Sequence, residues 1–252
     1  PLVCRKVAAA KIKQRVEAVA ERLGLADQLR RPANALTADL KQLVSLGRGL
    51  VREDVAAILL DEPLTVIDPQ LKFDLRRILK EINEEFRITM VLVTHDQTEA
   101  MTFAQEIIVM NHGEVVQAGT ATELFERPAT EHIGWFIGSP AMNFLPATVQ
   151  NGRVTVAGTR LAVDVPGLAE GIDLKIGFRP EHGLIVEADG EITGNIERIW
   201  YEGADQVLAV ANDTHNIRVR ISADQTTMQG NRANIVVPAN RLRVFSEGRL
   251  IA

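Results

Sequence analysis

The chain has 252 residues, 46% of them hydrophobic, which is enough for one large or two ordinary domains around a buried core and excludes disorder as its default state. Lys and Arg number 28 against 33 Asp and Glu, a net charge of −5 that removes the basic footprint a nucleic-acid binder normally carries. A single cysteine, Cys4, cannot close an internal disulfide, and no run approaches the roughly 18 apolar residues of a membrane span, so the chain reads as soluble and intracellular. It opens at Pro1 with no secretory leader, and a longer protein is expected to precede it.

In chain order, Ile12, Val16, Val19, Ala20 and Leu23 recur at helical spacing and predict an amphipathic helix ending near Gly24. A second helix is expected after Thr37. The apolar run Val55 to Leu60 stops abruptly at Asp61-Glu62-Pro63, as a strand buried on both faces would, and its carboxylates then emerge at the C-terminal end. Asp68-Pro69 is a cap followed by proline at the first helical position, with Leu71, Leu75, Ile78, Leu79, Ile82 and Phe86 at helical spacing behind it. Thr89 to Val93 predicts another buried strand, and Asp96 with Glu99 three residues later resembles a capping box for the next helix. Strand, helix, strand, helix argues for a parallel α/β sheet.

After about Asn143 the helical period gives way to short alternating runs: Val154/Val156, Leu161/Val163/Val165, Leu174/Ile176/Phe178, Ile217/Val219/Ile221 and Leu242/Val244. Asn151-Gly152 is a hairpin turn signal. A small β-barrel or sandwich is expected there as a second domain, giving a division into 1–143 and 144–252.

The Asp61-Glu62 pair is the most informative stretch. A carboxylate at a strand tip can hold magnesium beside nucleotide phosphates, directly or through water, leaving its neighbour to orient or deprotonate a water molecule. The plainer reading is a strand that stops at a polar turn. The second strand, however, also ends in polar residues, Thr94-His95-Asp96, and two such ends on one edge of a parallel sheet define a ligand site.

Ile58 to Pro63 resembles an extended Walker B motif, Asp68 stands where a D-loop aspartate stands, and His95 matches the switch histidine of ATP-binding-cassette (ABC) ATPases. Gly177-Phe178-Arg179-Pro180-Glu181-His182 is similar to a segment of the accessory domain of carbohydrate importers. The resemblance implies an α/β fold: part of a P-loop ATPase of ABC type with a helical insert, then a small all-β, OB-like accessory (TOBE) domain. It further implies Asp61 at the Mg2+ site, Glu62 as the catalytic carboxylate, His95 contacting the γ-phosphate of ATP, and Asp68 communicating across a dimer. The implied partners are a second ATPase subunit, transmembrane permease subunits and, indirectly, an external substrate-binding protein, with this chain peripheral at the cytoplasmic face of the membrane and no nucleic acid involved. The nearest likeness is to sugar, polyol and glycerol-phosphate importers.

Two departures stand out. No Gly-x-x-x-x-Gly-Lys-Ser/Thr loop occurs, so these residues alone are expected to bind ATP poorly, and the family places that loop upstream of where Pro1 falls. Where the family signature reads LSGGQ, this chain has Leu36-Thr37-Ala38-Asp39-Leu40, then Lys41-Gln42. Thr37 keeps the hydroxyl and Ala38 replaces a glycine. Asp39 sets a carboxylate where phosphate is expected, a repulsion of about 3 kcal/mol at roughly 5 Å unless Lys41 compensates. The alternative is an ordinary first-turn acid complementing the helix dipole. Direct repulsion predicts a dimer with a different ATPase and two unequal sites.

The five histidines lack metal-ligand spacing. Trp135-Phe136 and Trp200-Tyr201 are expected in a core or interface, and Arg179 with Glu181 as an ion pair or a docking point. The rival to the motor reading is a regulatory or dimerisation module with a degenerate ATPase half and a ligand-sensing β domain; a third is a soluble ATPase acting in translation or repair, against which the β domain argues.

Overall fold

Helix-start chemistry organises the first part of the chain. In the computed structural model, which describes residues 1–52, 55–65, 67–225 and 231–252, Asp68 caps a helix by accepting from the Leu71 N–H at 3.1 Å, with Pro69 at the first helical position. The elements there are α1 (Ala9–Arg22), α2 (Ala38–Leu50), β1 (Ala57–Asp61), α3 (Pro69–Phe86), β2 (Thr89–Val93) and α4 (Gln97–Phe103). β1 and β2 pair in parallel, with Asp61 opposite Val93, as the strand, helix, strand order predicts. Val55 and Ala56 of the apolar run lie outside the strand.

The strands are not buried on both faces. Ile58 and Leu60 point into a core with Leu43, Leu46, Leu50, Leu75, Leu79 and Phe103, whereas Leu59 is 77% exposed and Val91 and Val93 about half exposed. In this chain the helices packed on β1 and β2 cover the face that carries Ile58 and Leu60. The Asp96–Glu99 expectation is half met: Asp96 accepts from the Thr98 and Glu99 N–H groups, but the Glu99 side chain is buried elsewhere and does not return to the cap.

Contacts divide the chain into two units, Pro1–Gln105 and Glu106–Ala252. The second unit therefore begins ahead of residue 143, where the strand-rich pattern starts. It contains β3 (Ile107–Asn111), β4 (Glu114–Gly119), α5 (Ala121–Glu126), α6 (Glu131–Phe136), β5 (Asn143–Gln150), β6 (Arg153–Thr155), β7 (Ala162–Asp164), β8 (Leu174–Phe178), β9 (Leu184–Val186), β10 (Ile192–Tyr201), β11 (Asp205–Ala211), β12 (Asn216–Ser222), β13 (Arg232–Val236), β14 (Arg243–Ser246) and β15 (Arg249–Leu250). β3 and β4 form a hairpin. The later strands make a five-stranded sheet, β12-β11-β10-β13-β9, and a six-stranded one, β15-β14-β8-β5-β6-β7, which share one core. Asn151 and Gly152 both take positive φ in the β5–β6 turn, the two-residue geometry that an Asn-Gly pair favours. The carboxamide of Asn143 completes the free edge of β12, donating to the Arg218 carbonyl and accepting from its N–H, both at 2.8 Å. No helix among the described residues is long and apolar enough to cross a membrane.

Trp135 and Tyr201 are largely exposed, and Phe136 and Trp200 more than a third exposed, so of the two places expected for the aromatic pairs, core or interface, the core is excluded. One expectation in this unit is overturned. Arg179 does not pair with Glu181, which instead lies 3.3 Å from Arg220. Arg179 is fully buried. Its guanidinium donates to the carbonyls of Phe125 (3.0 and 2.8 Å), Gly134 (2.9 Å) and Ile137, and rests 4.2 Å from the centroid of the Phe125 ring. Three carbonyls facing inward need a forked donor more than a carboxylate partner would, and burial pushes the guanidinium pKa down to about 10.

Arg179→Ala, which strands those carbonyls and leaves a cavity, is expected to destabilise the second unit by about 3–5 kcal/mol, with Arg179→Lys intermediate because an ammonium cannot reproduce the fork. Urea unfolding of the two variants checks the order.

Candidate functional site

The site is built where β1 and β2 end side by side. Asp61 closes β1, and the next residue turns the chain sharply: Glu62 has φ +46° and its N–H donates to the Val93 carbonyl at 2.9 Å. A left-handed non-glycine residue costs about 1–3 kcal/mol and persists only where its surroundings fix it. Here they do. Oε1 of Glu62 accepts from the His95 N–H at 3.1 Å and lies 2.6 Å from His95 Nδ1, while Oε2 accepts from the Thr65 hydroxyl at 2.7 Å. From α2, the Gln42 side-chain amide donates to the carbonyls of Pro63 (3.1 Å) and Glu62 (3.4 Å).

The pair shifts both titrations. The His95 hydrogen bond, then that from Thr65, holds the Glu62 carboxyl below the usual carboxylate range. Glu62, first through its hydrogen bond and then its charge, raises the His95 imidazole, with Asp96 and Glu99 adding to it. Both groups face solvent, so salt screens them.

Beneath His95 lies a second polar cluster. Glu99, 1% exposed, accepts from Lys72 Nζ and from the Thr94 hydroxyl, each at 2.9 Å. Lys72 also lies 3.7 Å from Asp96, and the Asp96 N–H donates to Thr94 at 3.0 Å. A buried carboxylate demands such a cation, and meeting that demand ties α3, α4 and the end of β2 together below the imidazole.

The structure thus brings Glu62 and His95 into contact, with Asp61 adjoining them on the same edge. Asp68 is committed to its helix cap. Thr37 is the N-cap of α2 and Ala38 its first residue; among the described residues no hydrogen bond or ion pair joins Thr37, Ala38 or Asp39 to Glu62 or His95. The Thr37 hydroxyl, followed by the N–H groups at the helix start, holds the Asp39 carboxyl below its ordinary value. Thr65, Lys72 and the reach of Gln42 carry no signal in the sequence, whereas Thr94 belongs to the polar strand end and Glu99 has the spacing of a cap.

Among the described residues no group of three or more His, Cys, Asp or Glu is placed to hold a metal. With Glu62 engaged by His95 and Thr65, Asp61 supplies one hard oxygen donor. That fits magnesium, which keeps several waters and takes its other ligands from substrate phosphates.

A family model of the MalK OB fold domain matches residues 138–182, from before β5 to the turn after β8. The sn-glycerol-3-phosphate import ATP-binding protein UgpC of Paraburkholderia xenovorans is 36% identical over 246 residues, covering 94% of this chain and 68% of that protein. The protein of the same name from Cereibacter sphaeroides is 46% identical over 177 residues, 70% of this chain and 50% of that one. An uncharacterized ABC transporter ATP-binding protein, y4oS, of Sinorhizobium fredii is 41% identical over 230 residues, 86% of this chain and 62% of its own. The relatives and the matching OB fold domain thus place the chain among the ABC ATP-binding proteins. Within that class the chain belongs to the family represented by the sn-glycerol-3-phosphate import ATP-binding proteins. It spans about half to two thirds of the length of the curated relatives it matches.

The pair has a defined pH window. A raised His95 contributes fully below the ordinary histidine pKa and loses its contribution as pH rises through the raised value; a depressed Glu62 contributes above the ordinary glutamate pKa and loses it as pH falls through the depressed value. The ion pair therefore persists between the depressed and the raised values. NMR titration is expected to place the His95 pKa above that of a solvent-exposed histidine, and Glu62→Gln to return it toward the ordinary value.

Proposed function

We propose that the protein containing this chain is the ATP-binding and ATP-hydrolysing motor subunit of an ABC importer for glycerol 3-phosphate or a related polyol or sugar, with residues 1–143 belonging to the ATPase and 144–252 to the accessory domain. The observation that carries the reading is the Glu62–His95 pair at the shared edge of two parallel strands, in a chain whose relatives bear the name of such import proteins.

In this reading Glu62 orients the attacking water and accepts its proton. The hydrogen bonds from His95 and Thr65 fix the direction of the carboxylate, which is ionised at neutral pH. His95 fixes the carboxylate and presents its remaining ring nitrogen toward the γ-phosphate. Asp61 would hold Mg2+, directly or through water, and the ion when bound would neutralise phosphate charge. Asp68 lies at the start of α3, where a neighbouring subunit's nucleotide is approached. Thr37, Ala38 and Asp39 serve a composite site with that second ATPase subunit.

The pair of ATPases drives permease subunits in the membrane, with an external binding protein delivering substrate and this subunit peripheral on the cytoplasmic face. Asp39, drawn to the N-terminus of α2, occupies the kind of position an incoming phosphate would take, which favours a heterodimer with one weakened site.

In the reconstituted transporter, Glu62→Gln is expected to lower the ATP hydrolysis rate by about 100-fold or more; near-normal turnover would remove Glu62 from catalysis. Asp39→Gly is expected to raise the rate severalfold, and an unchanged rate retires the inhibitory role of that carboxylate.

A further inference from the structure

We propose that Gln42 is a positioning residue that sets the Glu62 carboxylate from the signature helix of the same chain, an inference that rests on the catalytic reading of Glu62.

The turn at Glu62 creates the need. A left-handed residue followed by proline leaves two successive carbonyls, those of Glu62 and Pro63, outside the strand pairing that ends at Asp61. Among the described residues, the Glu62 carbonyl receives a long 3.5 Å bond from the Thr65 N–H, and the Pro63 carbonyl receives only the Gln42 amide at 3.1 Å. One NH2 group bridging both oxygens fixes the direction of the peptide plane between them. That plane determines where the Glu62 side chain leaves the backbone and whether its carboxylate meets His95 and Thr65.

Gln42 is placed to do more than fill a turn. It lies about one turn beyond the Thr37-Ala38-Asp39 start of α2, and the same helix buries Leu43, Leu46 and Leu50 against Ile58 and Leu60 of β1. An α-helix is stiff over so short a span. A displacement at the start of α2, where the segment faces a neighbouring subunit's nucleotide, therefore reaches the Glu62 turn through one amide. The two nucleotide sites that a single chain serves, one with its signature segment and one with its own carboxylate, are connected at this point. Gln42 itself touches no nucleotide, so its loss should misplace the catalytic group and spare substrate binding.

The test uses Gln42→Leu, similar in size but apolar, and Gln42→Glu, which keeps the size and loses the donor. In the present chain, NMR spectra of both variants should keep the dispersion of the remaining core, shift the His95 imidazole and amide signals, and speed exchange of the Glu62 amide about tenfold or more. Signals of His95 and Glu62 superimposable on the parent overturn the proposal. In the reconstituted transporter both variants should lower kcat about tenfold or more, with the KM for ATP within about twofold, a cost in keeping with a catalytic group displaced by a fraction of an ångström. A raised KM with kcat unchanged overturns it, as does normal turnover by Gln42→Glu. Normal turnover in the Gln42 variants beside an inactive Glu62→Gln sinks this inference and leaves the role of Glu62 intact. Normal turnover in Glu62→Gln sinks the catalytic reading itself.

Discussion

The contact between the Glu62 carboxylate and His95 joins residues 33 positions apart and holds together the ends of two parallel strands. Parallel strands need a crossover, and here α3 supplies it, so both chains run in the same direction and finish on one edge. Everything assigned to chemistry depends on that shared finish. Asp61 ends one strand in an extended conformation. Glu62 then breaks direction, and the strain of its left-handed backbone is tolerated because a strand carbonyl, a histidine, a threonine and a glutamine each take one of its polar groups. An ion pair open to water contributes little stability on its own. Its importance is geometric: it fixes the direction of the carboxylate, with a hydrogen-bonded cluster of Lys72, Thr94 and Glu99 underneath.

Much of this was legible in the order of residues. Asp68-Pro69, the 3.6-residue period of Leu71 to Ile82 and the Asn-Gly turn are local signals, and each produced the element it predicts. The alternating runs beyond residue 150 supplied Val154, Leu161, Ile176, Val219 and Val244 to one core, because in a two-sheet domain a strand's inward face is written in every second residue. What escaped was non-local. Nothing in Lys41-Gln42-Leu43 indicates that the glutamine reaches 20 and 21 residues forward, and Glu99 satisfies the capping-box spacing while its side chain answers to Lys72. Arg179 and Glu181 look like partners by proximity in sequence, yet backbone carbonyls claim the one and Arg220 the other.

The resemblance to ABC ATPases and the family relationship agree on class, and the geometry adds how the pieces are held. The departure at Asp39 acquires a physical meaning from its surroundings. The Thr37 hydroxyl, and after it the N–H groups at the start of α2, favour the charged form of this carboxylate. The second unit uses a different device at its vulnerable edge: Asn143 mimics a strand against β12, presenting one acceptor and one donor at the spacing of a peptide.

The side of the β1–β2 pair that carries Leu59, Val91 and Val93 has a practical corollary. A polypeptide of modest negative charge here displays an exposed apolar stripe, the kind of surface from which association starts. Handling of this polypeptide by itself is therefore governed by colloidal behaviour as much as by thermal endurance. Dilution, low ionic strength or a mild detergent would extend its useful lifetime in the tube more than any reinforcement of the interior.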